Sequence, residues 1–312
     1  MDLISFIIPC YNSTDSICGV VDEIEDAMNS LGYVDYEVVL VNDSSPDNVY
    51  EVICALCGNN VKLRGIDLAK NFGQHSAVMA GLNHARGDVI VLLDDDGQTP
   101  ACEVGKLLEA LKCGNDIVFA KYENKQHNLF RNIGSRINDY MAESLIGKPK
   151  DLSISSYVAC KRFVADEIKR YGGNCPYLAG LFLRTTNKLC NVSVNHRRRE
   201  SGHSGYTLKK LFALWLSGFT AFSVKPLRMA TILGFLTAAA GFIYGVYVIV
   251  SRILNPDMPI GYSSMMAVLL FIGGMIMLML GVIGEYIGRT YLNINNAPQY
   301  VIRERIGFQD GV

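Results

Sequence analysis

The sequence has no excess of charge of either sign. Its 29 Lys and Arg residues are balanced by 30 Asp and Glu residues, and the formal net charge is −1. Proteins that hold nucleic acid through its phosphates usually carry a basic domain or a basic face. We therefore expect no nucleic-acid partner.

A signal peptide and a disulfide framework are also lacking. The apolar stretch at residues 3–8 has no basic residue before it and stops at Pro9, so we expect no secretory signal there. The nine cysteines all lie between Cys10 and Cys190, without the paired spacing of a secreted scaffold. This pattern predicts that the N-terminal part stays in a reducing compartment, the cytoplasm.

Two long segments contain no charged residue. No Asp, Glu, Lys or Arg interrupts residues 229–250 or 261–284, and about 20 apolar helical residues cross about 30 Å of hydrocarbon. We predict a transmembrane hairpin over residues 229–288; a buried hairpin of a soluble protein is the alternative.

Basic residues flank the pair of segments at Lys225, Arg228, Arg289, Arg303 and Arg305, whereas the connection between them holds only Arg252. Both ends of the hairpin are therefore predicted to face the cytoplasm.

Residues 206–222 form an amphipathic pattern before the first of these segments. The apolar residues that share one predicted helical face are Leu208, Leu211, Phe212, Trp215 and Phe219. Basic residues lie around this face, as in helices that rest on a membrane surface. We predict a juxtamembrane interfacial helix region at residues 206–228.

The N-terminal part alternates between β-branched apolar runs and helical spacing. Strands are predicted at residues 3–8, 36–41, 88–93 and 116–120, and helices at residues 16–31, 75–85 and 103–111. This alternation is typical of an α/β fold with a mostly parallel sheet, whose ligands bind at the carboxyl ends of the strands. Polar clusters follow the first three predicted strands, at residues 11–12, 42–47 and 94–100.

The last of these clusters reads DDDGQTP. Asp94 and Asp96 can both turn toward one hard cation, which prefers oxygen ligands and can bridge the phosphates of a nucleotide. The motif therefore predicts a Mg²⁺ or Mn²⁺ site. A solvated acidic turn is the alternative.

Several motifs, in order, resemble one family. They are FIIPCYN at residues 6–12, VNDSSPD at 41–47, KNFGQHSAVMAGLNHARGD at 70–88, DDDGQTP, RESGHSGYTLKKL at 199–211 and EYIGRTYLNINNAPQY at 285–300. They resemble family 2 glycosyltransferases of the GT-A fold. Within that family they are similar to the polyprenyl-phosphate glycosyltransferases, the group of dolichol-phosphate mannose synthase and bacterial undecaprenyl-phosphate sugar transferases. The resemblance implies a Rossmann-like GT-A domain at residues 1–205 and a cytoplasmic tail at residues 289–312.

The resemblance also implies roles for individual residues. Asp94, Asp96 and Gln98 would hold the metal and the donor diphosphate, and Asp43 would meet the nucleotide base or ribose, with helix capping as its alternative role. Further substrate-binding candidates in the matching motifs are Pro9, Tyr11, Asn12, Lys70 and Asp95.

Arg199 matches a family segment that lies over the active site and contacts phosphate. A guanidinium group suits this role because its fork meets two phosphate oxygens at once. Ser204 and Tyr206 belong to the same segment, and Arg131 is a weaker candidate. A solvated basic patch is the alternative for the arginines near residue 199.

The implied reaction is the inverting transfer of one sugar from a nucleotide-sugar, with uridine as the working choice of nucleotide, to polyprenyl phosphate at the inner membrane. The product would be a lipid-linked phosphosugar for the cell envelope. A phosphate acceptor needs no carboxylate base, and residues 153–161, where we expect the acceptor to dock, contain no Asp or Glu. Many members of the family that the sequence resembles have an arginine in the segment where this chain has Val158. The residues that hold the acceptor phosphate therefore stay open.

The sequence has two alternative interpretations. A processive polysaccharide synthase would carry a Gln-x-x-Arg-Trp motif, and the only tryptophan, Trp215, lies outside such a motif. A non-catalytic scaffold or flippase accessory would not need Asp94, Asp96 and Gln98. The sugar stays open among glucose, N-acetylhexosamines and an aminoarabinose derivative. Glycines of the second apolar segment would permit helix association and a homo-oligomer.

Overall fold

The computed structural model describes residues 3–122, 143, 148–174, 176–195, 225–254, 261–294 and 297–308. The chain divides into two compact units. One comprises Met1–Tyr206 together with Asn296–Val312, and the other comprises Thr207–Asn295.

The first unit is built on an eight-stranded sheet. Its strands are β1 (Ile4–Cys10), β2 (Tyr36–Asn42), β3 (Leu63–Leu68), β4 (Val89–Leu92), β5 (Ile117–Tyr122), β6 (Val158–Lys161), β7 (Leu189–Val194) and β8 (Ile302–Ile306). They are arranged in the order β7-β5-β6-β4-β1-β2-β3-β8. Strand β6 runs antiparallel to β4 and β5, and β8 runs antiparallel to β3, whereas the other neighbours are parallel.

Helices cover the sheet of the first unit. They are α1 (Ile17–Ser30), α2 (Val49–Asn59), α3 (Gln74–His84), α4 (Val104–Lys112), α5 (Arg162–Lys169) and α6 (Leu178–Thr185). Every residue of β1 and β2 is buried, as expected for parallel strands that are covered on both faces. The predicted α/β class and GT-A-like, mostly parallel sheet are confirmed.

The four predicted strands correspond to β1, β2, β4 and β5, but four other strands were not predicted. In β3, Arg64 and Asp67 interrupt the apolar run, yet both are buried, and Arg64 Nη1 lies 3.0 Å from Glu37 Oε2. Strand β3 was not predicted because its charged residues interrupt the apolar pattern, although both of them are buried in ion pairs. Strand β6 is only four residues long, too short to give a periodic signal.

Strand β8 brings the C-terminal segment back to the sheet. A Cβ atom on Gly65 of β3 would lie 2.6 Å from Ile306 Cγ2, so Ile306 occupies the space that the glycine leaves free. The backbone N–H of Ala69 donates to the carbonyl oxygen of Val301 at 2.8 Å. The segment at residues 289–312, which the family resemblance implied to be a cytoplasmic tail, thus contributes a strand to the sheet.

The second unit contains two long helices, α7 (Lys225–Leu254) and α8 (Tyr262–Ile294). Their 18-residue segments Ala230–Tyr247 and Phe271–Gly288 are apolar, and almost none of either segment is buried. Both helices are therefore long and apolar enough to cross a membrane. Most of the predicted interfacial helix region, residues 206–224, lies outside the described residues.

Candidate active site

The candidate site lies at the carboxyl ends of β1 and β4. The chain proceeds from β1 through β2 to β3 on one side, whereas β4 lies on the other side of β1. Ligands of open α/β sheets bind at such a reversal of strand order. The loops after β1 and β4 meet there, because the backbone N–H of Tyr11 donates to Asp95 Oδ2 at 2.8 Å and Ser16 Oγ donates to the Asp95 carbonyl oxygen at 2.6 Å.

The Asp94 carboxylate of the acidic turn is held by two side chains from other elements. Gln74 Nε2 at the start of α3 donates to its Oδ1 at 2.8 Å, and the Ser156 hydroxyl donates to its Oδ2. Burial raises the pKa of Asp94 to about 6, and the charges of Asp96 and Asp95 add to this effect against the two hydrogen bonds. The turn therefore gathers three carboxylates at partly buried positions, and a bound cation would relieve their mutual repulsion.

Asp96 follows in the same turn. The backbone N–H of Gln98 donates to Asp96 Oδ1 at 3.0 Å, and Gly97 has a φ of 69°, which glycine adopts at little cost. The turn thus holds Asp94 and Asp96 together at the end of β4. The charges of both also help burial to raise the pKa of Tyr122 at the end of β5, which marks that side chain as a neighbour of the turn.

A divalent cation fits this donor set. Within the described ranges, no three His, Cys, Asp or Glu side chains form a cluster that could hold a metal ion alone. Two carboxylates and the Gln98 amide oxygen are hard oxygen donors, and Mg²⁺ commonly binds through one or two carboxylates together with substrate phosphates. The turn therefore fits a cation that arrives with, or is completed by, a diphosphate.

Asp43 plays a structural part that the sequence did not reveal. Its side chain is buried, its Oδ1 accepts from the Phe72 N–H at 2.7 Å, and its Oδ2 accepts from the Gly73 N–H at 2.8 Å. Burial raises the pKa of Asp43, and these two bonds oppose the rise. Asp43 therefore fixes the start of α3, and with it Gln74, rather than the helix that follows Asp43 in the chain. Its contact with a nucleotide stays a prediction.

The loops after β1 and β2 are joined by side-chain hydrogen bonds. The Asn12 N–H donates to Ser45 Oγ at 2.8 Å, and the Thr14 N–H and hydroxyl donate to Asp47 Oδ2 at 3.0 and 2.6 Å. Asn12 and Ser44 have φ values of 56° and 50°, a region that non-glycine residues seldom adopt outside constrained loops. Burial would raise the pKa of Asp47, but the bonds from Ser45 and Thr14 lower it.

The remaining predicted residues are distributed as follows. Pro9 is buried in β1, and Tyr11 and Lys70 are exposed, with Lys70 Nζ 4.9 Å from the centroid of the Phe72 ring. The candidates Arg131, Arg199, Ser204 and Tyr206 lie outside the described residues.

Three neighbours of the acidic turn were not assigned by sequence analysis: Gln74, Tyr122 and Ser156. Gln74 lies in the motif at residues 70–88, and Ser156 lies in the segment expected to dock the acceptor, so both had a weak signal in the sequence. Val158 is buried in β6, opposite Leu92 of β4 and Phe119 of β5. Its side chain offers no surface to a phosphate.

Comparison with known proteins decides the family. The model of glycosyl transferase family 2 matches residues 5–169, more than half of the chain, and the model of the GtrB C-terminal hairpin matches residues 225–290. The chain belongs to glycosyltransferase family 2. The resemblance found in the sequence motifs is thereby confirmed. Membership of this family makes the protein an enzyme, a glycosyltransferase.

Two similar relatives come from Yersinia pestis (strain Pestoides F) and Yersinia pseudotuberculosis serotype O:3 (strain YPIII). Each is named undecaprenyl-phosphate 4-deoxy-4-formamido-L-arabinose transferase and is 32% identical to this glycosyltransferase, over 97% of this chain and 94% of the relative. Among solved structures, glucosyl-3-phosphoglycerate synthase from Mycobacterium tuberculosis, in complex with Mn²⁺ and uridine-diphosphate-glucose, is 19% identical with a TM-score of 0.52. That match covers 75% of this chain and 78% of the mycobacterial one, and it shows a shared fold.

Proposed function

We propose that this glycosyltransferase transfers a single sugar, with inversion, from a nucleotide-sugar to undecaprenyl phosphate and needs a divalent cation. The observation that carries the proposal is the hydrogen bond from Ser156 to Asp94. It brings a segment without any acidic residue, residues 153–161, to the acidic turn. The relatives named for the same lipid acceptor support this choice over nearly the whole chain.

The absence of a carboxylate in that segment suits a phosphate acceptor. An alcohol acceptor usually needs a general base to remove its proton, whereas a polyprenyl phosphate is already anionic near neutral pH. Asp43 is committed to two backbone amides and Asp95 to the Tyr11 amide. A phosphate oxygen would attack the anomeric carbon, and the bonding electrons would leave with the nucleoside diphosphate.

Asp94, Asp96 and Gln98 would hold Mg²⁺ or Mn²⁺ at the end of β4. When bound, the cation neutralises charge that grows on the departing diphosphate. The hydrogen bonds to Asp94 from Gln74 and Ser156 orient this carboxylate before the donor arrives. Arg199, Arg131, Ser204 and Tyr206 are proposed to contact phosphate groups of the two substrates.

We take a uridine nucleotide as the donor, as in the mycobacterial structure of similar fold, and the sugar is to be found from a panel. The panel contains uridine-diphosphate glucose, uridine-diphosphate N-acetylhexosamines and the 4-deoxy-4-formamido-L-arabinose donor that corresponds to the relatives' name. Preferential binding of guanosine diphosphate in calorimetry would overturn the choice of uridine.

Helices α7 and α8 are proposed to anchor the enzyme in the inner membrane, with both termini in the cytoplasm. Holding the catalytic unit at the bilayer raises its effective concentration relative to a lipid acceptor. The anchored product would be a lipid-linked phosphosugar for modification of envelope glycans. The proposed boundaries stay those of the sequence: catalytic residues 1–205, an interfacial region at 206–228, a hairpin at 229–288 and a tail from 289.

The test uses the full chain in lipid nanodiscs, the donor panel, undecaprenyl phosphate and either Mg²⁺ or Mn²⁺. Release of nucleoside diphosphate and the mass of the lipid product are measured together. We expect one sugar per lipid and no release after chelation. A growing polymer would instead indicate a processive synthase, and no release with any donor would indicate a non-catalytic scaffold.

A further inference from the structure

The C-terminal strand β8 carries an arginine, Arg303, that pairs with a buried carboxylate of β3. Residues 302–306 lie beyond both segments matched by the family models, which end at residues 169 and 290. Arg303 Nη1 donates to Asp67 Oδ2 of β3 at 3.0 Å, and its Nη2 donates to the Ala69 carbonyl oxygen at 2.9 Å. Asp67 is 2% exposed, so its carboxylate is held by these protein hydrogen bonds rather than by water.

Asp67 also connects Arg303 to the loop after β2 through hydrogen bonds. Its Oδ1 accepts from Asn42 Nδ2 at 2.7 Å, and Asn42 Oδ1 accepts from the Ser45 N–H at 3.0 Å. Asn42 is the last residue of β2 and is buried. The orientation of its amide is therefore set by a carboxylate that Arg303 holds in place.

Ser45 connects the network to the crevice at the reversal of strand order. Its hydroxyl oxygen accepts from the Asn12 N–H and donates to Asp47, which also holds Thr14. The loops after β1 and β2 thus share one hydrogen-bonded arrangement. Arg303 lies at one end of it, at the edge of the sheet.

We propose that Arg303 is a positioning residue that sets the shape of the donor nucleotide site through Asp67, Asn42 and Ser45. This inference rests on the proposed function in one respect, since it takes residues 42–47 to line the nucleotide site. The rival role is simple attachment of β8. Other contacts also attach β8. They are the main-chain hydrogen bonds with β3, the packing of Ile306 beside Gly65, and the edge-to-face contact of Phe308 with His84, whose ring centroids lie 5.4 Å apart.

The test compares Arg303→Met with Arg305→Met. Arg305 lies on the same strand, is exposed and has no ion pair with any residue of the described part of the chain, so the control removes the same charge from the same edge. We expect Arg303→Met to weaken binding of uridine diphosphate, measured by calorimetry with Mn²⁺, by about fivefold, within the range for substitutions along a coupled network. Donor KM should rise similarly, while kcat and the KM for undecaprenyl phosphate stay within about twofold. Arg305→Met should match the wild type.

Two further variants keep the inference testable if Arg303→Met folds poorly. Arg303→Lys retains one donor for Asp67 and should recover part of the donor affinity. In an Asp67→Asn background, Arg303→Met should have little additional effect, because both act through one contact. The inference would be overturned if Arg303→Met and Arg303→Lys both bound the nucleotide with wild-type affinity. It would also be overturned if affinity for donor and acceptor fell equally and only in proportion to the loss of thermal stability. The proposed function is judged separately, from transfer by the wild-type chain.

Discussion

Replacing Asp43 by alanine separates two roles for this residue, because its carboxylate clamps the start of α3 whether or not it also meets a nucleotide. The substitution leaves the N–H groups of Phe72 and Gly73 without the acceptors that lie at 2.7 and 2.8 Å. Hydrogen bonds to a charged group contribute about 1.5–3 kcal/mol each. Removal of a buried carboxylate, whose pKa burial raises, offsets part of this loss.

We therefore expect Asp43→Ala to lower the free energy of unfolding by about 2–4 kcal/mol, a large share of the stability of an ordinary domain. Urea unfolding of the full chain in detergent, followed by circular dichroism, measures the change. Asp15→Ala is the matched control, since Asp15 is exposed in the preceding loop and should change stability by less than about 0.5 kcal/mol. If Asp43→Ala were as stable as Asp15→Ala but had lost nucleotide binding, the clamp argument would be refuted and Asp43 would be a ligand residue alone.

Three further outcomes are expected. Asp94→Asn and Asp96→Asn should each lower sugar transfer by about 100-fold or more, because charge on the leaving diphosphate would be poorly neutralised; product formation on the lipid measures this. Asp116→Asn should lower the free energy of unfolding by about 1 kcal/mol, since the hydrogen bond from Lys161 at 2.9 Å lowers the pKa of Asp116. With a folded-state pKa below the unfolded one, this stability is present above the unfolded pKa and is lost as pH falls through the folded pKa, so the variant should show a flatter acid limb in unfolding curves taken at several pH values. Gly65→Ala should lower thermal stability by about 1–3 kcal/mol, because the new Cβ would lie 2.6 Å from Ile306.

Each of these has a control. For the acidic turn, thermal unfolding of both variants should resemble that of the wild type, and transfer at the wild-type rate by both would contradict the metal assignment. For Asp116, Lys161→Met should flatten the acid limb in the same direction but less, because the Thr186 hydroxyl still donates to Asp116; an unchanged limb would refute the pairing. For Gly65, the control is Gly58→Ala in α2, where a Cβ meets nothing within 4 Å; it should be neutral or stabilising, and equal losses in both would refute the argument from close packing.

The sequence alone determined the class of fold, the apolar hairpin and the acidic turn. Alternating strand and helix patterns specify which faces are buried, and burial of both faces is what makes β1 and β2 mostly apolar, with Ser5 and Glu37 hydrogen-bonded to each other inside the sheet. Charge-free segments longer than about 20 residues are visible in the sequence because length and apolar composition make a helix able to cross a membrane. Asp94 and Asp96 stood out because they directly follow a predicted strand, where the carboxyl end of a parallel sheet must lie.

Only the tertiary structure decided which distant residues meet. Ser156 lies 62 positions from Asp94, and Arg303 lies 236 positions from Asp67. Local patterns record which side of an element faces the core, whereas such pairs depend on how separate elements pack and on the order of strands in the sheet. Strand β8 illustrates this. Its three consecutive charged residues, Arg303 to Arg305, do not predict a strand of the sheet, and Ile306 packs into the space that Gly65 leaves free.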